Sequence, residues 1–374
     1  MEYLILLLYS ILVGLQYKKK PNFSRYKAAW LIIFFYCVLL FGFRYRVGID
    51  TLNYMYGYDE QPRLEELNLT NIFDYKAAPF YTLLNAVCRS ITHSFYLLQI
   101  IVSFIFNSCL FVFLKRHSTN PFLAFAVFLF MNGLYFNTEI MKESLAIAFF
   151  LLNVENLLKH RWGKYYMLAA VSLMFHYSAI IIFIIPLFTK LKFNWLFLFL
   201  ILVFLLVSKQ LAEIFMPMIK FAAVANRLEA YSEMFEQEKL NIYWIIGAIV
   251  QAVLIPLCML TLSKYGKWKL GKYESLICLC VLFGVGCVYF QIIFQRFTNY
   301  VSLFYAICLA DLLCSKVVKL KYKYALLFLF LTIYGFSYIN QSRYYIWYPY
   351  HSILNEQKVP QREMIWYEEF GRDL

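Results

Sequence analysis

Charged residues are scarce in this chain of 374 residues, of which 15% are Asp, Glu, Lys or Arg and 62% are hydrophobic. A typical soluble domain has about 25% charged residues, so this chain has too little polar surface for a water-soluble globule. Apolar runs of membrane-spanning length recur along most of the sequence. The runs are continuous rather than alternating, which excludes a β-barrel and predicts an all-α polytopic bundle of about 10–12 transmembrane helices.

Other absences exclude classes of function. The loops between the apolar runs contain neither a Walker A loop nor a dinucleotide fingerprint, so we expect no cytoplasmic nucleotide. No basic tail or domain offers a site for nucleic acid, although the net charge is +13. The nine cysteines lie in or beside apolar runs, which predicts buried thiols without a disulfide framework. No His, Cys and carboxylate cluster has metal-ligand spacing, so we expect no metal or other cofactor, with only Asp50 left open as a distant ligand.

The apolar runs set the predicted topology. The predicted spans are residues 2–16, 28–43, 95–114, 121–136, 142–158, 194–208, 242–263, 274–294, 298–314 and 324–339. The first run lacks a small-residue cleavage site and is interpreted as a span rather than a signal peptide. Residues 78–91 are short and carry Arg89, which leaves a re-entrant segment open. Residues 165–188 are interrupted by His176 and form either one span or two short helices.

Basic residues predict the orientation. More than half of the 35 Lys and Arg lie in alternate short loops, including residues 18–20, 264–272 and 316–323. By the positive-inside rule these loops are cytoplasmic, and both termini are outside. The single membrane domain then has three outward polar segments, residues 44–77, 209–241 and 340–374. The second has the apolar spacing of an interfacial helix, with Arg227 on its polar side, where it either meets a lipid-linked substrate or simply covers the surface.

Polar side chains recur where the predicted spans meet the outer side. The groups are Arg44, Arg46 and Asp50 around Gly48; Glu139, Lys142 and Glu143; His176; Gln295 and Arg296; and Arg343, Tyr348, Tyr350 and His351. Each has an ordinary interpretation as an interfacial anchor, a helix-end ion pair or a core histidine. Because a charge at membrane depth costs about 3 kcal/mol, a shared outward cavity is favoured. Its cations suit phosphate, and Asp50, Glu143 and His176 are candidate acids or bases.

At these residues the chain resembles the EpsG family of Wzy-type exopolysaccharide and O-antigen polymerases. The matching elements are Arg44, Gly48, Asp50 and Tyr54; Lys142-Glu143; His176, Ser178 and Ala179; Arg296 in Arg-Phe-Thr-Asn-Tyr, which includes Asn299; and Pro349-Tyr350. Family members more often have Arg-Gln in place of Lys142-Glu143, and Arg46 falls at a variable position.

The resemblance implies a fold similar to GT-C-type membrane glycosyltransferases and a function in the bacterial cytoplasmic membrane. It implies metal-independent joining of oligosaccharide repeat units carried on polyprenyl pyrophosphate, with the growing glycan, membrane lipid and a chain-length regulator as partners. The predicted catalytic residues are Arg44, Asp50, Glu143, His176 and Arg296. The predicted substrate-binding residues are Arg46, Gly48, Tyr54, Lys142, Arg227, Asn299, Arg343 and Tyr350.

Two alternatives stay open. A flippase or transporter of lipid-linked glycan would use the same cations to hold pyrophosphate, but it should carry polar groups at mid-membrane and repeated halves. A membrane acyltransferase would use His176 as its base, but it needs an acyl donor from the cytoplasm, and the cytoplasmic loops offer no evident site. The concentration of polar groups at one face favours the polymerase.

Overall fold

A computed structural model describes residues 2–371 apart from 69, 74, 76, 208–249, 289, 290 and 340. Within these residues the regular structure is helical, and the one extended pairing is an isolated bridge between Arg44 and Ser352. Four helical stretches are long and apolar enough to cross a membrane: Phe23–Gly42, Phe95–His117, Pro121–Thr138 and Ile293–Cys314. The prediction of an all-α multi-pass membrane protein is therefore confirmed.

The helices are numbered here in chain order. Those of the first half are α1 (Glu2–Lys19), α2 (Lys27–Gly42), α3 (Ile49–Tyr56), α4 (Pro79–Ile91), α5 (Phe95–His117), α6 (Pro121–Phe128), α7 (Leu134–Thr138), α8 (Met141–Leu158), α9 (Trp162–Phe175) and α10 (Ile180–Ile184). Those that follow in the described residues are α11 (Trp195–Val207), α12 (Ile255–Tyr265), α13 (Glu274–Gly286), α14 (Gln291–Cys314), α15 (Leu320–Ile339), α16 (Gln341–Trp347) and α17 (Pro360–Phe370).

One helix boundary settles a point that the sequence left open, and a second gives the bounds of a segment whose re-entrant character stays a prediction. The run at residues 165–188 is divided at His176, where α9 ends and a short 3₁₀ turn leads into α10. Residues 78–91 form α4, which begins at Pro79, a residue well suited to the first turn of a helix. The predicted interfacial helix at residues 209–241 lies outside the described residues.

One predicted boundary is wrong. Residues 274–294 and 298–314 were expected as two spans separated at Arg296, but α13 ends at Gly286 and α14 continues through Arg296 to Cys314. The ring of Phe294 lies so close to Gly286 that an added Cβ there would come within 2.4 Å of it. The first helix therefore ends at Gly286 rather than at the polar residues. A charged side chain in a helix leaves the backbone hydrogen bonds intact, so Arg296 does not end one.

The described chain divides into two compact units. The first comprises Met1–Phe183, Leu309–Cys314 and Tyr334–Leu374, and the second comprises Ile184–Cys308 and Ser315–Ile333. In the second unit α12 packs against α13, and Phe283 of α13 contacts the rings of Phe294 and Phe297 at 6.1 and 5.7 Å.

The first unit is organised around α5, which packs against α2 and α8. Along α5 a buried polar stripe, Gln99, Ser103 and Asn107, recurs at four-residue intervals on one face. Ser103 donates to the carbonyl of Val38 at 3.2 Å, and Asn107 donates to Asn137 Oδ1 at 2.8 Å. Polar groups of this kind hold neighbouring membrane helices in register. The stripe fixes α2 and α7, the helices that lead into the candidate site.

Candidate active site

A tight loop, residues 44–48, joins the end of α2 to the start of α3. The tail of the chain, residues 346–353, is bonded along it. Three backbone hydrogen bonds make this connection: Tyr45 N to His351 O at 2.7 Å, Gly48 N to Ile346 O at 3.1 Å, and Ile353 N to Phe43 O at 2.8 Å. The 44–48 loop is thus bonded to a segment that lies about 300 residues further along the chain.

Gly48 supplies the bend that the sequence predicted at this position. Its φ of +102° lies in a region that residues with a side chain rarely adopt. An added Cβ would lie 2.7 Å from Glu139 Oε1, 2.9 Å from Thr138 Cβ and 3.0 Å from Thr51 Oγ1. Both the backbone angle and the close approach of these groups require glycine here.

Glu139 lies against this bend, beyond the end of α7. Its Oε2 accepts the backbone N–H of Asp50 at 2.9 Å, and its Oε1 accepts the Thr138 hydroxyl at 2.8 Å. Burial raises the pKa of the Glu139 carboxyl, and the hydrogen bonds from Asp50 and Thr138 partly oppose the shift. A carboxylate at the first turn of a helix also interacts favourably with the helix dipole. Glu139 therefore fixes the start of α3, which carries Asp50.

Arg44 lies beneath the loop and is 1% exposed. Its Nε donates to Val47 O at 3.2 Å, its Nη1 donates to Phe41 O, and its Nη2 donates to Thr51 Oγ1 at 2.9 Å. Burial lowers the pKa of this guanidinium to about 10, so it remains charged at neutral pH. The donors of Arg44 are directed into the protein. Its predicted catalytic role stays a prediction, and the geometry favours an effect through its charge.

Arg46 is bound to the tail. Its Nε donates to Glu363 Oε1 at 2.6 Å, its Nη2 donates to Glu363 Oε2, and the same nitrogen donates to the Tyr56 hydroxyl at 3.1 Å. Burial lowers the pKa of Arg46, but the hydrogen bonds to Glu363 and Tyr56 outweigh it and the net shift is upward. This is a buried, two-pronged ion pair. The structure shows Arg46 in an internal ion pair with Glu363, and its predicted substrate contact stays a prediction.

Lys142 lies at the start of α8. Its Nζ is 4.9 Å from the ring centre of Tyr54 in α3 and 5.3 Å from that of Tyr81 in α4. Two tyrosine faces around an ammonium group form a cation–π site. Asp50 and Tyr54 are four residues apart in α3 and therefore share a face of that helix. The structure thus brings together Lys142, Tyr54 and the helix face of Asp50.

The next residue of α8, Glu143, is 1% exposed in the first turn of the helix. Met141, the residue before Lys142, places its sulfur 3.5 Å from Nη2 of Arg44. The start of α8 therefore connects the predicted residues Arg44, Lys142 and Glu143 in one region of the first unit.

His176 lies at the break between α9 and α10. Its Nδ1 is 2.7 Å from Ser178 Oγ and 3.2 Å from the backbone N of Ser178, so the histidine caps the 3₁₀ turn that follows. The neighbouring Phe175 stacks on Phe149 of α8 at 5.0 Å and contacts Phe80 of α4 at 5.6 Å. The histidine thus follows a residue that packs against α4 and α8, the helices that carry Tyr81 and Lys142.

The remaining predicted residues are distributed over the tail and the second unit. The hydroxyl of Tyr350 donates to Leu40 O at 3.0 Å. Arg296 and Asn299 lie in the part of α14 that belongs to the second unit, where the carbonyl of Asn299 accepts from Ser302 Oγ at 3.0 Å. Arg227 and the side chain of Arg343 lie outside what the structure describes. Among the described residues, no group of three or more His, Cys, Asp or Glu could hold a metal ion.

The sequence model of the EpsG family matches residues 27–352, most of the chain. The chain belongs to the EpsG family. This is a family of exopolysaccharide, Wzy-type polymerases, and the chain has a membrane role of that general type. No curated protein and no solved structure matches the chain. The 44–48 loop, Lys142 and His176 fall within the EpsG match.

Several residues at this site of the EpsG-family chain are not predicted by the sequence. They are Thr51, Tyr81, Gln99, Arg362 and Glu363. Gln99 Nε2 donates to the carbonyls of Gly42 and Arg44 at 2.7 and 2.9 Å and supports the end of α2. Arg362 and Glu363 lie in α17, beyond the matched residues. For Arg362 and Glu363, the signal in the sequence is their amphipathic spacing with the apolar Trp366.

Proposed function

We propose that this protein is a membrane glycosyltransferase that polymerises polyprenyl-pyrophosphate-linked oligosaccharide repeat units on the outer face of the bacterial cytoplasmic membrane. The observation that carries the proposal is the position of Lys142 over Tyr54 and Tyr81, beside the loop that buries Arg44. Cations near a site strengthen the binding of a leaving pyrophosphate. Aromatic faces suit the binding of sugar rings. The half-buried Lys142 therefore suits the pyrophosphate, and the half-buried ring of Tyr54 suits a sugar.

The proposed reaction needs no redox partner. An acceptor sugar hydroxyl attacks the anomeric carbon of the lipid-linked glycan. A new glycosidic C–O bond forms, and the bond from that carbon to the pyrophosphate oxygen breaks with its electron pair. The hydroxyl proton passes to a base in the protein, and polyprenyl pyrophosphate leaves with the added negative charge. Stabilisation of that charge is the main task of the site.

Lys142 is the residue that we assign to the leaving pyrophosphate in the first unit. Arg44 contributes through its charge, because its donors are bonded inside the protein. A unit charge at about 8 Å contributes about 2 kcal/mol at an effective dielectric constant of about 20. The catalytic role of Arg296 stays a prediction from the resemblance. Metal ions are not needed in this scheme, because the cationic side chains supply the positive charge.

Three groups are candidates for the base: Asp50, Glu143 and His176. Asp50 shares its helix face with Tyr54, Glu143 follows Lys142 directly, and His176 follows Phe175, which packs against α4 and α8. A base must come within hydrogen-bond reach of the acceptor hydroxyl. Replacement of each by its neutral isostere and measurement of the pH–rate profile assigns the role.

The outward orientation rests on the direction of the helices. Helix α2 begins at Lys27 and ends at Gly42, so the 44–48 loop lies at the end opposite to Lys27. Helix α1 ends in Lys18 and Lys19 after running the other way. Because basic ends of membrane helices remain in the cytoplasm, the loop is assigned to the outer face.

Replacement of Lys142 in a strain that lacks the chromosomal copy tests this function. Lys142→Met keeps the length of the side chain and removes its charge, and Lys358→Met makes the same change at an exposed position of the tail. We expect single repeat units from Lys142→Met and the full ladder of polymer lengths from Lys358→Met. Long polymer from Lys142→Met would contradict the proposal. Repeat units that accumulate on the cytoplasmic face of the deletion strain would favour a transporter.

A further inference from the structure

Two adjacent residues of α17 bind the same residue of the 44–48 loop. Arg362 Nη1 donates to the backbone carbonyl of Arg46 at 2.9 Å. Glu363 accepts the guanidinium of Arg46 through both carboxylate oxygens, one of them at 2.6 Å from Nε. Arg46 is therefore held at its backbone and at its side chain by a single turn of one helix.

Arg362 also connects the loop to the rest of the tail. Its Nε donates to Tyr345 O at 2.8 Å, and its Nη2 donates to Pro349 O at 2.9 Å. The side chain is 1% exposed, and burial lowers its pKa to about 10. This buried cation donates to backbone carbonyls and joins its own helix to the 44–48 loop and to residues 345–349. Such an arrangement specifies the position of those segments.

The residue that is held in this way has an unusual backbone. Arg46 has a φ of +52°, in the left-handed region, and Gly48 two residues later has a φ of +102°. A residue with a side chain keeps such a conformation only where the surrounding structure enforces it. The contacts of Arg362 and Glu363 supply that enforcement, since both are made to Arg46 itself.

Helix α17 also packs along α3. Trp366 forms a buried cluster with Ile49 and Leu52 of α3, and its ring stacks on Tyr56 at 4.3 Å with 15° between the ring planes. The hydroxyl of Tyr56 accepts a hydrogen bond from Nη2 of Arg46. Both the start and the end of α3 are thus fixed by α17, and between them α3 carries Asp50 and Tyr54.

We infer that Arg362 and Glu363 are positioning residues of the polymerase site, which act through Arg46 to hold the Asp50 and Tyr54 face of α3 against Lys142. The inference rests on the function proposed above. It extends the site to a helix outside the residues that the family model matches, 27–352. Neither side chain touches the substrate in this scheme.

A double-mutant cycle tests the inference in purified protein supplied with lipid-linked repeat units. The variants are Arg46→Gln, Glu363→Gln and the pair together, with Glu368→Gln as the matched control on the exposed side of α17. We expect kcat to fall at least tenfold in each single variant, with KM within twofold of the wild type. The double variant should lose no more than the worse single variant, because both changes break one interaction. Glu368→Gln should match the wild type.

The inference is overturned if Glu363→Gln keeps kcat within twofold of the wild type, or if the losses multiply in the double variant. Loss of stability alone would lower the amount of active protein, so kcat is referred to the folded fraction measured by size-exclusion chromatography. Tyr56→Phe is the second variant, because it removes one hydrogen bond to Arg46 and keeps the ring on Trp366. A severalfold fall in kcat supports the inference, and an unchanged kcat overturns it.

Lys142→Met in the same assay separates the two proposals. If Lys142→Met loses activity while Glu363→Gln keeps it, the positioning role fails and the proposed site stands. If Lys142→Met keeps wild-type kcat, the proposed site fails, and the positioning inference that depends on it is overturned with it.

Discussion

Replacement of Gly48 by alanine should destabilise the protein. It should also lengthen or break the hydrogen bond from the backbone N–H of Asp50 to Glu139 at the start of α3. The new Cβ meets Glu139 Oε1 at 2.7 Å, on a backbone with φ of +102°. Glu139 can relieve the overlap only by moving away from the backbone N–H of Asp50, from which it accepts a hydrogen bond at 2.9 Å. The substitution therefore adds strain and removes a hydrogen bond to a charged group.

The magnitude follows from these two parts. With a ψ of 138°, Gly48 lies outside the common left-handed region, and its backbone costs a residue with a side chain about 1–3 kcal/mol. Loss of a hydrogen bond to a charged group costs about 1.5–3 kcal/mol. The sum for Gly48→Ala is about 2.5–6 kcal/mol.

Substitutions at two other glycines help to separate backbone strain from the steric overlap with Glu139. Gly371 has a φ of +59° and a ψ of 30°, with nothing within 4 Å of an added Cβ, so Gly371→Ala should show a left-handed backbone cost of about 1–2 kcal/mol without steric overlap. Gly57 has a φ of −80° and one ordinary contact at 3.4 Å, so Gly57→Ala should be nearly neutral.

Thermal unfolding in detergent, followed by size-exclusion chromatography, gives the order of the three variants. We expect the unfolding temperature to fall most for Gly48→Ala, less for Gly371→Ala and hardly at all for Gly57→Ala. Polymer length should fall for Gly48→Ala alone. Equal stability of Gly48→Ala and Gly371→Ala would refute the role assigned to the close approach of Glu139.

Three further predictions concern the surroundings of the loop. Burial raises the pKa of the Glu139 carboxyl, so its contribution to stability is fully present below its ordinary value of 4.5 and is lost as pH rises through the raised value. Glu139→Gln should therefore flatten the dependence of the unfolding temperature on pH between 4.5 and the raised pKa of Glu139. Gln99→Leu leaves two buried backbone carbonyls without their donor, at about 1–3 kcal/mol each, and should lower the unfolding temperature well below that of an exposed Gln357→Leu control. Glu363→Gln should cost about 3–5 kcal/mol because it leaves Arg46 buried without its partner, whereas the paired change Arg46→Gln with Glu363→Gln should recover part of that loss.

Parts of this site are visible in the sequence because the signals are local. Gly48 between charged residues predicts a tight turn, and the φ of +102° agrees with it. His176 within an apolar run left one span or two short helices open, and the structure shows the break at this residue. Continuous apolar runs predict the membrane helices for the same reason: length and composition decide whether a segment can span a bilayer.

The rest depends on contacts that no local pattern contains. Arg46 and Glu363 are 317 residues apart, and nothing in either segment indicates the other. An arginine that binds nearby carbonyls, as Arg44 does, has the same sequence context as one that faces a substrate. Arg296 illustrates the opposite error, because a polar residue between apolar ones was interpreted as a boundary and lies within a continuous helix.

Reconstitution of the purified protein with a lipid-linked repeat unit as the sole substrate tests the central claim most directly. The wild-type protein should form polymer and release one polyprenyl pyrophosphate for each linkage, and Lys142→Met should do neither while Lys358→Met does both. Polymer of wild-type length from Lys142→Met, or no release of polyprenyl pyrophosphate from the wild type, would contradict the account.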